Sequence, residues 1–123
     1  MNRSVLALVL SSVLMSSFAQ IILKAGMSSA DVLTASGGDR WGLARAVAFN
    51  PWVLAGLALY FASAVVWLFV LAKLDVSLAY PFVGLGFVVT MLLARLVHGE
   101  ALTPTRIAAT LLIAAGVLLL ARS

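Results

Sequence analysis

The chain has 123 residues, of which 64% are hydrophobic and 10% charged, and its mean hydropathy of +1.19 lies outside the range of a soluble domain. Eight Lys and Arg against four Asp and Glu give a net charge of +4, which in so apolar a chain bears on membrane topology and anionic ligands rather than nucleic acid. Without cysteine and with one histidine, His98, the chain cannot form disulfides or use a thiol nucleophile, so no metal or cofactor is expected.

Four apolar stretches are long enough to cross a hydrocarbon core of roughly 30 Å, which takes about 20 helical residues. They comprise residues 4–23, 52–72, 76–97 and 105–121. Because these runs are continuous rather than alternating, they predict helices and not a barrel. The expected fold is an all-α membrane protein, with residues 1–123 forming one four-helix transmembrane domain that dimerises.

The first span begins like a secretory signal, with Arg3 before an apolar run and small residues around Ala19. The run stays apolar through Leu23, whereas the apolar region of a signal has only ~7–15 residues. We therefore expect this segment to be a retained first helix.

Polar residues recur every four positions along this helix, at Ser12, Ser16, Gln20 and Lys24. At 1.5 Å per residue, Gln20 lies about 6 Å and Ser16 about 12 Å deeper than Lys24. The stripe predicts a polar pathway, in which Lys24 offers a positive charge to an anionic head group. Alternatively, Lys24 extends to the membrane interface and the other side chains join helices.

Segment 24–51 is the only long connection, and Trp41 and Trp52 have the positions of interface anchors within or after it. A short helix on the membrane surface is therefore predicted at 40–49. In the second span, Tyr60, Ser63 and Trp67 could line a cavity, although aromatic packing is an alternative role.

The third span opens with "LAYPFVGLGF", residues 78–87. Pro81 removes a backbone donor, and Gly84 and Gly86 remove side-chain bulk, so this helix could bend or accept a lipid chain in a groove. Tyr80 would lie near the interface, where its hydroxyl could bond a head group. Ordinary helix packing with an interfacial tyrosine is the alternative.

A predominantly basic face with one carboxylate is predicted where the third span ends. Such a face suits a phosphate that carries a cationic group, although it could also be an ordinary charged rim. The candidate phosphate ligands are Lys24, Arg40, Arg45, Arg95 and Arg106. Glu100 is the candidate contact for an amino group.

Small residues in the fourth span, Ala108, Ala115 and Gly116, predict close helix packing in a dimer. The acidic residues, by contrast, all fall outside the middle of a span. They are Asp31, Asp39, Asp75 and Glu100. A proton-driven drug pump would need a carboxylate inside the membrane, so this pattern argues against one.

Three segments resemble the drug/metabolite transporter superfamily: "FAQIILKAGM", "LDVSLAYPFVGLGFVVTMLLARLVHGEALTPTR" and "LLIAAGVLLL". Ala79-Tyr80-Pro81 and Gly99-Glu100 are the more specific steps. Among four-helix members, the chain is most similar to the small subunits of the flippase for aminoarabinose-phosphoundecaprenol. The resemblance implies a non-enzymatic subunit that moves a polyprenyl-phosphate-linked sugar across the bacterial inner membrane, as a homodimer or with a second four-helix subunit.

The chain also resembles the small multidrug resistance family in size and in its fourth span. Those pumps carry a glutamate eight positions before a lysine that matches Lys24, and here that position is Ser16. The difference disfavours a drug or metabolite exporter. An accessory subunit that only scaffolds a glycosyltransferase is a further alternative, and the sugar, the orientation and the driving force stay open.

Overall fold

The computed structural model describes residues 3–122, and no strand occurs in that range. The helices are α1 (Arg3–Met27), α2 (Ala30–Ala35), α3 (Arg40–Ala48), α4 (Pro51–Leu71), α5 (Val76–Ala79), a 3₁₀ turn (Tyr80–Phe82), α6 (Val83–His98) and α7 (Pro104–Arg122).

Four segments are long and apolar enough to span a membrane: α1, α4, the run from α5 to α6, and α7. The prediction of an all-α membrane protein with four spans is confirmed. The first helix continues past the predicted end at residue 23 as far as Met27, so Lys24 lies in its last turn and not beyond it.

The third span is not one continuous α-helix, as the range 76–97 had implied. It is divided into α5, the 3₁₀ turn and α6. Pro81 lies in the turn, where its missing N–H and its ring disfavour regular α-helical hydrogen bonding. The predicted distortion at Pro81 therefore takes the form of a 3₁₀ turn.

Segment 24–51 contains two helices and is not a simple loop. Besides α3, which overlaps the predicted helix at 40–49, it contains α2, whose Val32 is 2% exposed. Burial of this one side chain fixes a helix too short for a sequence pattern to reveal. Asp39 caps α3 by accepting a hydrogen bond from the Gly42 N–H at 2.7 Å.

Asn50 joins this segment to the start of α4. Its Oδ1 accepts hydrogen bonds from the N–H groups of Trp52 and Val53, at 2.9 and 3.2 Å. Its Nδ2 donates to Ser29 Oγ at 2.9 Å. The same side chain thus caps α4 and ties it to Ser29, the residue that precedes α2.

The packing centres on α1. Helix α4 packs along most of it and α6 packs on it as well, whereas α7 packs mainly on α6. Glycines allow the close α1–α4 approach, since a Cβ at Gly56 would lie 2.7 Å from Leu23 Cγ and one at Gly26 would lie 2.8 Å from Val53 N. Contact between α4 and α6 is slight at most, so a gap separates them above α1.

The buried core fills that gap at one end only, near the start of α1 and the end of α4. We call this end the closed half, and its buried residues are Val5, Val9, Val13, Val70, Ala79, Phe82 and Val117. The other end, which carries the end of α1 and the loop between α6 and α7, is the open half. There the gap between α4 and α6 becomes a groove.

Candidate functional site: a polar groove between three helices

The groove has α1 as its floor and α4 and α6 as its walls. It consists of two adjoining cavities of about 210 and 470 Å³, and Ser16, Tyr60 and Val83 line both. Its volume lies in the range of small-molecule binding sites. We call the smaller cavity the deep end and the larger one the mouth.

The deep end borders the closed half and is lined by hydroxyl and aromatic side chains. Ser12 and Ser63 are each 4% exposed, and Ser12 Oγ donates to the Ser63 carbonyl at 3.0 Å across the α1–α4 interface. Ser63 Oγ in turn donates to the Tyr60 carbonyl at 3.0 Å. Trp67 and Tyr80 complete this end. Each serine oxygen keeps acceptor capacity for a ligand, because a hydroxyl has two lone pairs.

The mouth combines an amide, a carboxylate and hydroxyls in a cavity with mostly apolar walls. Gln20 and Glu100 both line it and are exposed, and Thr90 and Ser16 lie between them and the deep end. Ser16 Oγ donates within α1 to the Val13 carbonyl at 3.0 Å. A ligand at the mouth could thus meet an amide and a negative charge at once.

The structure brings two of the five candidate phosphate ligands to the loop that carries Glu100. An Arg95 guanidinium N–H lies 3.4 Å from the Glu100 carbonyl, and one of Arg106 donates to the Ala101 carbonyl at 2.9 Å. A guanidinium has five N–H donors, so most of them stay available in each arginine. The loop therefore presents two cations and one carboxylate beside the mouth.

The other three cations lie outside this loop. Lys24 is exposed on α1, and Arg40 and Arg45 are exposed on α3. Within residues 3–122 the lining of the two cavities includes none of the five cations. The predicted stripe does not reach Lys24 because four residues turn an α-helix by about 400°, so each step drifts by about 40°. Between Ser12 and Lys24 the drift sums to about 120°, which directs Lys24 away from the groove.

Each glycine of the third span packs against a different neighbour. Gly86 faces α1, where a Cβ would lie 3.4 Å from Ser17 Oγ, and Gly84 faces α7, where it would lie 2.8 Å from Ile113 Cγ2. Both also line cavities, Gly86 the mouth and Gly84 a third cavity that Pro81 shares. Their small size therefore serves packing within the chain as well as access to the helix backbone.

The three candidate dimer residues, Ala108, Ala115 and Gly116, are exposed on α7. Long apolar side chains of the same helix are exposed too, including Leu112 at 74% and Leu119 at 72%. This face is free to meet lipid or a second chain.

Sequence reasoning missed three residues that position the groove. Ser17 is 1% exposed and its Oγ donates to the Gly86 carbonyl at 3.2 Å, which joins α6 to the floor. His98 Nε2 lies 3.1 Å from the Ile21 carbonyl and makes a second link between the same helices. Thr90 lines the mouth. Ser17 adjoins the Ser16 stripe, but its partner lies 69 residues away, which no local pattern reveals.

All four acidic residues of the chain lie outside the four long helices. Among residues 3–122, no cluster of three or more His, Cys, Asp or Glu side chains could hold a metal ion. The fold and the groove together define a small four-helix membrane transport protein.

Comparison with known proteins identifies the family. A protein of Pseudomonas aeruginosa (strain UCBPP-PA14) named "probable 4-amino-4-deoxy-L-arabinose-phosphoundecaprenol flippase subunit ArnE" is 34% identical over 117 residues, which are 95% of this chain and 96% of that protein. A protein of the same name from Pseudomonas paraeruginosa (strain DSM 24068 / PA7) is 39% identical over 94% of this chain and 96% of its own. One from Enterobacter sp. (strain 638) is 36% identical over 56% of this chain and 64% of its own.

The chain belongs to the family of ArnE subunits, and it is a multi-pass protein of the bacterial inner membrane. No family model matches it. No solved structure matches it either.

Proposed function

We propose that this chain is a non-enzymatic subunit of a flippase that moves undecaprenyl-phosphate-linked 4-amino-4-deoxy-L-arabinose across the bacterial inner membrane. The observation that carries the proposal is the hydroxyl- and amide-lined groove, which runs from Ser12, near the middle of α1, to Glu100 in the loop after α6. Relatives that match almost the whole chain carry that substrate in their name.

The polar head would travel along the groove floor. Ser12, Ser16 and Gln20 would exchange hydrogen bonds with the sugar, while Tyr80 and Trp67 would bound it at the deep end. These side chains would replace the hydrogen bonds that the sugar makes to water. Without them, moving a polar head into hydrocarbon would cost several kcal/mol, on the order of the penalty for burying polar groups unpaired. The head could then cross while its tail remained in the lipid.

The phosphate would bind at the mouth. Arg95 and Arg106 hold the loop with one hydrogen bond each and have donors left for a phosphate oxygen. Lys24, Arg40 and Arg45 would act further out, attracting the anion to this membrane face rather than contacting it in the groove. Arg40 and Arg45 belong to α3, which we propose lies on the membrane surface through Trp41.

Glu100 would recognise the amino group of the sugar. Its carboxylate is the acidic group at the mouth, and Glu100 directly precedes Ala101, whose carbonyl accepts the hydrogen bond from Arg106. An ammonium group meeting a carboxylate forms a charge-assisted hydrogen bond, which is stronger than a neutral one. The same loop would thus sense both charges of the head group.

Thermal stabilisation of the purified protein tests this proposal, since a ligand that binds only the folded chain raises its apparent stability. The ligands are the aminosugar-linked undecaprenyl phosphate, bare undecaprenyl phosphate and a quaternary ammonium drug. We expect the lipid-linked sugar to stabilise more than the bare carrier and the drug to have no effect. A shift with the drug alone would favour an exporter of the multidrug type instead.

Charge variants assign the contacts. Glu100→Gln should weaken binding of the aminosugar lipid by about tenfold, the factor for one charged hydrogen bond, and leave the bare carrier unchanged. Arg95→Ala should weaken both. Asp75→Asn and Lys73→Ala are matched controls, because both residues are exposed at the opposite end of α4 from the mouth. If Glu100→Gln bound each lipid as tightly as the parent protein does, the carboxylate would not contact the amino group of the sugar.

A further inference from the structure

A third cavity adjoins the polar groove along α6. It has a volume of about 360 Å³ and is formed between α6 and α7. Gly84 lines it on α6, and Ile113, Gly116 and Val117 line it on α7. Its surface is mostly apolar, unlike the mouth with its amide and carboxylate. We call it the α6–α7 groove.

Two glycines give this groove its shape, in opposite ways. At Gly84 the two helices touch, since a Cβ there would lie 2.8 Å from Ile113 Cγ2 and 3.2 Å from Val117 Cγ2. At Gly116 they do not, because among residues 3–122 no atom outside the helix's own turn lies within 4 Å of an added Cβ. The recess at Gly116 is therefore open space beside a close helix contact.

The α6–α7 groove adjoins the polar groove. Val83 lines all three cavities, Tyr80 lines both this groove and the deep end, and Phe87 lines both this groove and the mouth. A single layer of side chains therefore separates the two grooves. Tyr80 is 65% and Phe87 56% exposed, so packing does not lock either side chain in place.

We propose that the α6–α7 groove binds the first isoprene units of the polyprenyl tail while the head group occupies the polar groove, with Gly116 as the residue that keeps the groove open. This inference rests on the proposed function. In lipid an apolar chain gains no hydrophobic free energy by entering an apolar groove, so binding depends on packing and on the local concentration of the chain. A head group bound in the polar groove holds its own tail at high effective concentration beside Val83.

The size of the recess favours a chain over a second helix. A helix with its side chains is about 10–12 Å across, whereas a lipid chain is narrow enough for a 360 Å³ recess. The long side chains that would meet another helix, Leu112 and Leu119 among them, are exposed on α7 without lining the α6–α7 groove.

The test compares two phosphate ligands, one with the polyprenyl tail and one without it. The probes are undecaprenyl phosphate and ethyl phosphate, which carries a phosphate without any isoprene unit, titrated against the purified protein with thermal stability as the readout. Gly116→Leu puts a side chain into the recess, and Ala115→Leu is the matched control on the adjacent, exposed position. We expect Gly116→Leu to raise the half-saturating concentration of undecaprenyl phosphate by about three- to tenfold through lost dispersion contacts. Ala115→Leu should change neither ligand, and Gly116→Leu should leave the short one unchanged.

A second measurement needs no substitution. A photoreactive group on the second isoprene unit of the tail should cross-link the unaltered protein within residues 113–117 of α7. Cross-links on α4, or to lipid alone, would overturn the inference even if Gly116→Leu were too unstable to assay.

The remaining outcomes separate this inference from the function on which it rests. If both probes stabilise the parent protein and Gly116→Leu weakens neither, the tail lies elsewhere and the head-group proposal stands. If Gly116→Leu abolishes a dimer measured by light scattering in detergent, a second copy covers the groove and the inference is wrong. If neither probe stabilises the parent protein, both the proposed function and this inference are wrong.

Discussion

The closed and open halves of the molecule use the same helices for different purposes. In the closed half, Val9, Val70 and Phe82 fill the gap between α4 and α6 and are each at most 5% exposed. In the open half the same gap is lined by Gln20 and Glu100 and stays unfilled. A bundle this small cannot both pack tightly and hold a polar head group along its whole length. The difference suggests that one half stabilises the helices that the other half keeps apart.

The largest expected effect comes from removing a core aromatic side chain in the closed half. Phe82 is 5% exposed, and Phe82→Ala should destabilise the protein by about 3 kcal/mol, the lower end of the range for buried Phe→Ala, because it leaves a cavity. Phe87→Ala is the matched control, since Phe87 lies five positions on in the groove wall and is 56% exposed. Thermal unfolding followed by circular dichroism in detergent measures both.

Phe87→Ala should cost less than about 1 kcal/mol, in keeping with a side chain that is mostly exposed. Equal losses from Phe82→Ala and Phe87→Ala would mean that a bound lipid or a second chain packs against the groove wall in solution. The contrast between the two halves would then not describe the protein in a membrane-like environment.

The contrast between the halves also marks how far the sequence predicts this structure. Hydropathy is enough to find the four spans, since about 20 apolar residues identify a crossing helix whatever its neighbours are. The spacing of Ser12, Ser16 and Gln20 is enough to predict one polar face on α1. These features are local, and each depends on a single helix.

Features that depend on two helices were not accessible in this way. Ser17 and Gly86 are 69 positions apart, and their hydrogen bond depends on how α6 crosses α1. Lys24 fits the four-residue spacing but leaves the groove, because the helix turns by 3.6 residues and not four. The division of the third span at Pro81 is predictable as a distortion, but not as a 3₁₀ turn followed by a fresh helix.

A smaller effect should come from the hydrogen bonds that attach both walls to α1. Ser12→Ala and Ser17→Ala each remove a hydroxyl that donates to a carbonyl of another helix, at 3.0 and 3.2 Å. Each substitution should destabilise the protein by about 0.6 kcal/mol, the average for interhelical hydrogen bonds in membranes. Unfolding in increasing dodecyl sulfate is the measurement, and Ser11→Ala, at an exposed position of the same helix, is the control.

Ser12 and Ser17 should differ in their effect on ligand binding. Ser12 lines the deep end, so Ser12→Ala should also weaken binding of the aminosugar lipid. Ser17→Ala should act on binding only through the position of α6. A loss of binding from Ser11→Ala as large as that from Ser12→Ala would contradict the assignment of the groove to this face of α1.

The smallest expected change in stability is at Gln20, where a substitution should affect ligand binding much more than folding. Gln20 is exposed at the mouth, and an amide facing lipid or an empty groove contributes little to the folded state. Gln20→Leu should therefore shift the free energy of unfolding by less than about 0.5 kcal/mol, as is usual for exposed positions. Binding of the aminosugar lipid should nevertheless fall, because the head group loses a donor and an acceptor at once. If Gln20→Leu instead destabilised the protein as much as Phe82→Ala, the amide would be part of the packing, and the open half would hold helices together just as the closed half does.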